Sequence, residues 1–422
     1  MSAGLAPVRH VLPNGGVVIV KQSRVTPAVT IHASVRAGSA FDPPSAGGLA
    51  HFVSKTIDRG TTTRSADDIA DVLDSRGVTL AVAVNRQTIS FVCTCLTEDV
   101  GEVLAVVADT VQRPAFPDDQ VATRRQEILT LIRQDEDNPA AVAGQRLLAL
   151  LYGEAHPYGR RVRGTADSVA AIDRPALEAF HRARFSPSSL SLVMVGDLEA
   201  ERAIDLAGSA FGGWSGGATP AATLPPVARA AARRTAVVPM MNKSQADIAY
   251  GFVAIARSDP AFHAYALMNN VLGEYALGGR LGDSIRERQG MAYYVFSGFD
   301  ANAGPGPLTV RAGVNPANVE RAVASMDNEL KALATNGPTD KEVAESKQYL
   351  IGSMPRTLET HLGIAEFLQA VEFFDLGLDY DLRMPGLLRA VTRDEVAGAA
   401  RSLLDPSRAT VVVAGPYDGV LA

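Results

Sequence analysis

Only two cysteines occur in 422 residues, which excludes a small secreted scaffold stapled by disulfides. They stand two apart in VCTC, as Cys93 and Cys95. On a strand they share one face and are poorly placed to bridge each other, so buried, inert thiols are expected. Long apolar runs are also lacking. The longest stretch without a charged residue, 206–228, contains GGWSGG and LPP. It reads as a linker and not as roughly twenty apolar residues of spanning helix. Nor is there a basic excess: 40 Lys+Arg stand against 46 Asp+Glu, a net charge of −6. That excludes a nucleic-acid binder working through a broad basic surface. The opening MSAGLAPVRHVLPNGG has no apolar core behind a basic start. No secretory signal is read, and a cytoplasmic location is the expectation.

What is present is globular material. Hydrophobic residues make up 47% and charged residues 20%, enough for more than one core. VRHVLPNGGVVIVKQ reads as strand, Asn14-Gly15 turn, strand. AVTIHASVRAGS alternates with period two, as a strand does. A helix is expected to begin near 45–47 and carry GGLAHFVSKTI. SADDIADVLDSRG reads as an amphipathic helix with Ser65 as N-cap, Asp68 completing a capping box, and Gly77 as the stop. VTLAVAVNRQTISFVCTCL reads as a hairpin, two helices follow, and LSLVMVGDL reads as a buried strand.

The second half replays the first. LTEDVGEVLAVVADTVQRPAFPDDQVATRRQEIL resembles VNPANVERAVASMDNELKALATNGPTDKEVAESKQYLI, with Val121 aligned to Val343. Each half also ends on a hydrophobic strand. The expected fold class is α+β, built as two homologous domains of about 210 residues, each a mainly antiparallel sheet packed with helices. The composition shift places them at 1–211 and 236–422, with a linker at 212–235.

The joint order of several segments resembles the pitrilysin/insulinase-type zinc metallopeptidases, in their short-chain, processing-peptidase-like branch. The resemblance runs over essentially the whole chain. It is carried by VLPNG, AGS…GGLAHF…RGT, RSADDIADVLDSRG, VVADTVQRPAFPDDQV, HPYGRRVRGT, FSPSSLSLVMVGD, SQADIAYGF and RLGDSIRERQGMAYYVFSG. It implies a chain that forms one half of a clamshell.

Active members of that family carry H-x-x-E-H, in which two His bind zinc and the Glu serves the attacking water. A further Glu ligand lies about seventy-five residues on. Here the motif reads HFVSK. His51 matches the first ligand, Ser54 the general base, Lys55 the second His, and Leu131 the later Glu. Two of three ligands and the base are therefore missing, and Lys55 puts a cation where a dication would sit. Glu127, one turn before Leu131 on a helix, gives with His51 too few donors for zinc. The remaining histidines, His10, His32, His156, His181, His263 and His361, show no ligand spacing. No metal is expected in this chain, and His51 is expected to be a core or interface histidine.

By resemblance, Arg286 and Tyr293 in IRERQGMAY match an Arg/Tyr pair that binds substrate backbone and stabilises the oxyanion at a zinc site. Arg288 and Tyr294 are neighbours that confuse the assignment. Losing the metal half while keeping this pair resembles the metal-free subunit of two-chain family members. The expected function is a non-catalytic subunit of a heterodimeric zinc metalloendopeptidase, inactive alone. It would lend Arg286 and Tyr293 to a homologous, zinc-bearing H-x-x-E-H partner. The alternative is a structural or peptide-binding member with no catalysis in its assembly, and an unaided peptidase with an altered metal site is a third reading. Zn2+ is expected in the partner, the substrate is a peptide, and neither nucleic acid nor a membrane span is expected.

Four smaller features complete the reading. The glycine-containing loop at 273–282 matches a substrate-facing loop of the family, although a structural connection is the simpler role. Ala81 stands where the family usually has Asn on an edge strand near the site, a departure that weakens the expectation, taken from the resemblance, of a peptide lying on this chain's own edge. The charged run 133–139 reads as a solvated helix end and turn. The basic patch 229–234 reads as solvated.

Overall fold

The structure, a computed structural model, describes residues 4–217, 223–274 and 279–421. It contains two compact units. The first draws its described residues from 1–132, 161–223 and 354–382, the second from 133–160, 224–353 and 383–422.

The first unit is built on β1 (Val8–Val11), β2 (Val17–Gln22), β3 (Ala28–Val35), β4 (Ala81–Val84), β5 (Ile89–Leu96) and β6 (Leu190–Gly196). Their order across the sheet is β1-β2-β6-β3-β5-β4. Only β2 and β6 run parallel; the other pairs are antiparallel. The expected turn joins β1 to β2, with Gly15 at φ 91, a region that favours glycine. One sheet face meets α1 (Leu49–Thr56) and α3 (Val100–Gln112), burying Ile31, Phe91, Phe52 and Val107. Between them lies α2 (Ala66–Asp74), which carries the expected Ser65/Asp68 capping box. On the other face, Ile364, Ala365 and Leu368 of the helix His361–Phe373 cover Ile19, Val193 and Val195. The Nε2 of Gln369 donates to the carbonyls of His32 and Ser191 at 2.7 and 3.0 Å. Cover on both faces is why β3 is buried along nearly its whole length. Cys93 and Cys95 point into the first core, and burial pushes both thiols up to about 12. They are protonated and unreactive at neutral pH.

The second unit is built on β7 (Arg234–Pro239), β8 (Ala246–Val253), β9 (Ala292–Phe299), β10 (Pro307–Val314) and β11 (Thr410–Gly415), in the order β7-β11-β8-β10-β9. The pair β7/β11 is parallel and the rest are antiparallel. With β1 set aside, this is the order and polarity of the first sheet, so the sequence repeat is also a repeat of topology. Val121, on α4 (Asp118–Glu136), and Val343, on the helix Asp340–Thr357, are both buried. The second sheet packs against α5 (Pro139–Tyr152), whose Ala143, Leu147 and Leu151 meet Ala249, Val253 and Val412. Among the described residues no helix is long and apolar enough to cross a membrane.

Two expectations differ from the structure. The units do not follow the contiguous division at 1–211 and 236–422 with a linker at 212–235. Residues 133–160 compact with the second sheet, and 354–382 with the first. An apolar helix stripe buries itself wherever a matching sheet face lies, whatever its place in the chain. The patch at 229–234 is not simply solvated. Arg233 pairs with Asp327 at 3.0 Å and its guanidinium lies 5.7 Å from the Tyr250 ring centroid. Arg229 donates to the carbonyl of Ser402.

The start of α1 is fixed by a carboxylate. Asp42 accepts from the backbone N–H groups of Gly48 and Ala50, both at 2.8 Å. Gly48 has φ 92, and a Cβ there would lie 2.5 Å from the carbonyl oxygen of Arg163. Only glycine fits both the dihedral and the gap. Asp42→Ala is expected to destabilise the chain by about 2 kcal/mol, since two buried donors lose their acceptor. Asp42→Asn, keeping one acceptor, should fall between; urea unfolding followed by circular dichroism checks the order.

Stability should also depend on pH. Burial pushes His32 and His181 down to about 4, although a hydrogen bond from His181 Nε2 to the Val111 carbonyl partly opposes the effect in His181. The folded state holds both rings neutral, while the unfolded chain takes up protons near pH 6.5. Their contribution is fully present above that pH and is lost as pH falls towards 4. Between pH 7 and pH 5 the loss should be about 2 kcal/mol per histidine, read from urea midpoints, and His181→Gln should flatten the profile.

Candidate functional site

Helix α1 carries three of the residues singled out by the motif. His51 and Ser54 are buried, at 6% and 2% exposure. The Ser54 hydroxyl donates to the carbonyl of His51 at 2.7 Å, the usual back-bond of a helical serine. Lys55 is only partly buried. It lines a cavity of about 270 Å³ together with Ser54, Asp58 and Arg59. The second wall is α4, through Arg124, Glu127, Ile128 and Leu131. The third is Leu80 and Val82, at the start of β4. Lys55 and Leu131 stand 76 positions apart in the sequence, and the fold brings both to one cavity. His51 is not among its lining residues.

The cavity is charged and already partly paired. Arg59 Nε lies 3.2 Å from Asp58, and Arg124 Nη1 lies 2.7 and 2.6 Å from the two oxygens of Glu127. Burial raises Asp58 above the usual carboxylate range, against the opposing charges of Arg59, Arg124 and Lys55. Three cations thus face two carboxylates. This donor set does not fit zinc. An ammonium and an isobutyl group occupy two ligand positions, the Ser54 hydroxyl is spent on the backbone, and Glu127 is neutralised by Arg124. Among the described residues no three His, Cys, Asp or Glu side chains are grouped to hold a metal.

The other two singled-out residues lie in the second unit. Arg286 is on the helical turn Gly282–Arg288 and is exposed; its nearest carboxylate is Glu287, at 3.7 Å. Tyr293 is 62% exposed on β9, the edge strand of its sheet. The register explains this exposure. Tyr294 faces Gly313 and Ala292 faces Val314, so Tyr293 is the extra residue of a β-bulge. A bulge re-aims a side chain and interrupts the ladder. The confusing neighbours are engaged otherwise. Tyr294 donates to the buried carboxylate of Asp247, and Arg288 pairs with Asp283 at 3.0 Å.

Several lesser features find plain structural roles. His156 accepts from the N–H of Tyr158 through Nδ1 and stacks on Tyr152. The run 133–139 ends α4, and Asn138 caps α5 by accepting from Ala140 and Ala141. Ala81 is the first residue of β4 and is exposed. Residues 275–278 of the glycine-containing loop lie outside the described residues. At its flanks Asn269 donates to Glu274, and Arg280 pairs with Glu342 at 2.6 Å. Burial opposes ionisation of Glu342, yet hydrogen bonds from Arg280 and Thr339 bring it down to about 2.

Sequence reasoning missed Asp58, Arg59 and Arg124. For Arg124 the signal was helical spacing: Arg124, Glu127 and Leu131 recur three and four apart and share one face of α4. The bulge at Tyr293 had no comparable signal, because it depends on the partner strand.

Known proteins resemble the chain along most of its length. Residues 17–166 match the model described as Insulinase (Peptidase family M16), and 171–350 match Peptidase M16 inactive domain. An uncharacterized zinc protease of Mycobacterium tuberculosis is 28% identical over 426 residues, 99% of this chain and 94% of the relative. A Streptomyces coelicolor relative of the same description is 27% identical, covering 98% and 90%. A crystal structure described as peptidase M16 inactive domain from Pseudomonas fluorescens superposes with a TM-score of 0.90 at 26% identity, covering 99% of each chain. A protease from Helicobacter pylori shares the fold, with a TM-score of 0.89 at 17% identity over 97% of this chain and 99% of that one. Matches to both halves, in order and across a duplicated topology, place the chain in the insulinase family of metallopeptidases, peptidase family M16.

Proposed function

We propose that the chain is a non-catalytic subunit of a heterodimeric zinc metalloendopeptidase that cleaves peptides. In this reading the zinc belongs to a homologous H-x-x-E-H partner, and this chain lends Arg286 and Tyr293 to that partner's site. One observation carries the proposal. The metal half of the chemistry is replaced by Lys55 and Leu131, while Arg286 and Tyr293 stand exposed and uncommitted to their own unit's packing. A permanently charged guanidinium and a phenol are suited to hold a peptide carbonyl and the oxyanion that develops from it. Tyr294 cannot take that part, because its hydroxyl is given to Asp247. The second reading, a peptide-binding or structural member with no catalysis in its assembly, is favoured by the same absence of ligands.

Two measurements separate the readings. The isolated chain should hold no stoichiometric zinc by elemental analysis and should leave peptides uncut. Co-expressed with its H-x-x-E-H homologue, the pair should contain one zinc and cleave. In that complex Arg286→Ala should lower kcat/KM by about 10²-fold or more and Tyr293→Phe by about tenfold, at unchanged zinc content. Unchanged cleavage in both variants would remove the lending role and leave the second reading.

A further inference from the structure

The disagreement between the α1/α4 cavity and zinc points to a different ligand. We propose that this cavity is a carboxylate site, in which Lys55 binds the carboxylate of an extended peptide, whether its C-terminus or an Asp or Glu side chain. The inference deepens the peptide-handling reading above and rests on it.

The charge arrangement comes first. Asp58 and Arg59 form one ion pair, and Arg124 and Glu127 another. Lys55 makes no ion pair within 4 Å among the described residues. The surplus charge is therefore the Lys55 ammonium, and complementarity calls for one negative group. Arg124 also lines the cavity, but its guanidinium is held by Glu127.

The walls strengthen the attraction. Leu80, Val82, Ile128 and Leu131 contribute apolar surface to the same cavity. Near such surface an ammonium–carboxylate contact is screened less than in bulk water. The size restricts the ligand. About 270 Å³ is below the volume usual for a whole small-molecule ligand and suits one side chain or one chain end.

The neighbouring strand supplies the rest of the peptide's contacts. Among the described residues β4 pairs only with β5 and ends its sheet, and Val82 of β4 is also a cavity wall. A peptide adding along that edge gains backbone hydrogen bonds and brings a side chain or its terminus to the cavity mouth. The position that holds a dication for water activation in an active family member here holds a monovalent cation for anchoring.

The test uses the full chain and four hexapeptides of alternating Val and Thr, N-terminally labelled with a rhodamine of zero net charge. They carry either Glu or Gln at the fourth position and end in either a carboxylate or an amide. Binding is read by fluorescence anisotropy at low ionic strength. At least one carboxylate-bearing peptide should bind about tenfold more tightly than the Gln amide. The Glu amide and the Gln acid, compared directly, identify which carboxylate is used. Lys55→Met should abolish the preference and Lys55→Arg should keep it. Lys55→Glu, a second variant, should transfer the preference to a peptide with Lys at the fourth position. Equal binding of all four peptides, binding of none, or a preference that survives Lys55→Met would each overturn the proposal. None of these outcomes touches the Arg286 and Tyr293 test, which reads cleavage by the complex, so the two readings fail separately.

Discussion

The Asp42 carboxylate takes the N–H groups of Gly48 and Ala50 and so decides where α1 begins. A helix has 3.6 residues per turn, so fixing its first turn fixes the phase of all that follow. His51 and Ser54 are thereby turned into the core, and Lys55 is delivered to the cavity wall. The clearance at Gly48 ties the same turn to the 163–164 segment, where the Ser168 hydroxyl also donates to the Gly47 carbonyl at 2.7 Å. Position 55 is thus a property of a rigid corner and not of a mobile side chain on an open surface.

That corner explains how the scaffold tolerates a change of chemistry. Zinc would contribute cohesion by linking α1 to α4 through shared ligands. Here the two helices flank a cavity lined by Lys55, Ile128 and Leu131, and each ion pair stays on its own side of it. Such partly exposed ion pairs contribute little stability individually. Cohesion comes instead from Phe52, Val53 and Ile128, all in the first core. A framework held by apolar burial does not require the metal to fold, which frees positions 54, 55 and 131 for other work.

Much of this was legible from residues alone. Strand alternation, the Ser65 capping box and the Asn14-Gly15 turn are local, and local chemistry dictates them. The repeat was legible because Val121 and Val343 keep the same burial duty in two copies of one topology. The departure of HFVSK and Leu131 from a zinc-ligand pattern could be read directly, since ligand chemistry depends on residue type. Non-local facts were not available. The partition of the chain into units depends on which sheet face a helix covers. The exposure of Tyr293 depends on a register slip against β10, and the engagement of Tyr294 on Asp247 of a third strand. Nothing in the sequence near Arg233 announces Asp327.

The interleaving of the units also sets an order of assembly during synthesis. Ile364, Ala365 and Leu368 cover the outer face of the first sheet, yet they are made more than 160 residues after its last strand ends at Gly196. Until they emerge, Ile19, Val193 and Val195 present an uncovered apolar face on the nascent chain, the kind of surface that chaperones engage. The second sheet has the opposite history, because α5 is translated before any of the strands it will cover. Cutting the gene between the two sequence repeats would therefore leave the first half short of a layer and the second short of a helix, each with a hydrophobic surface and no partner for it.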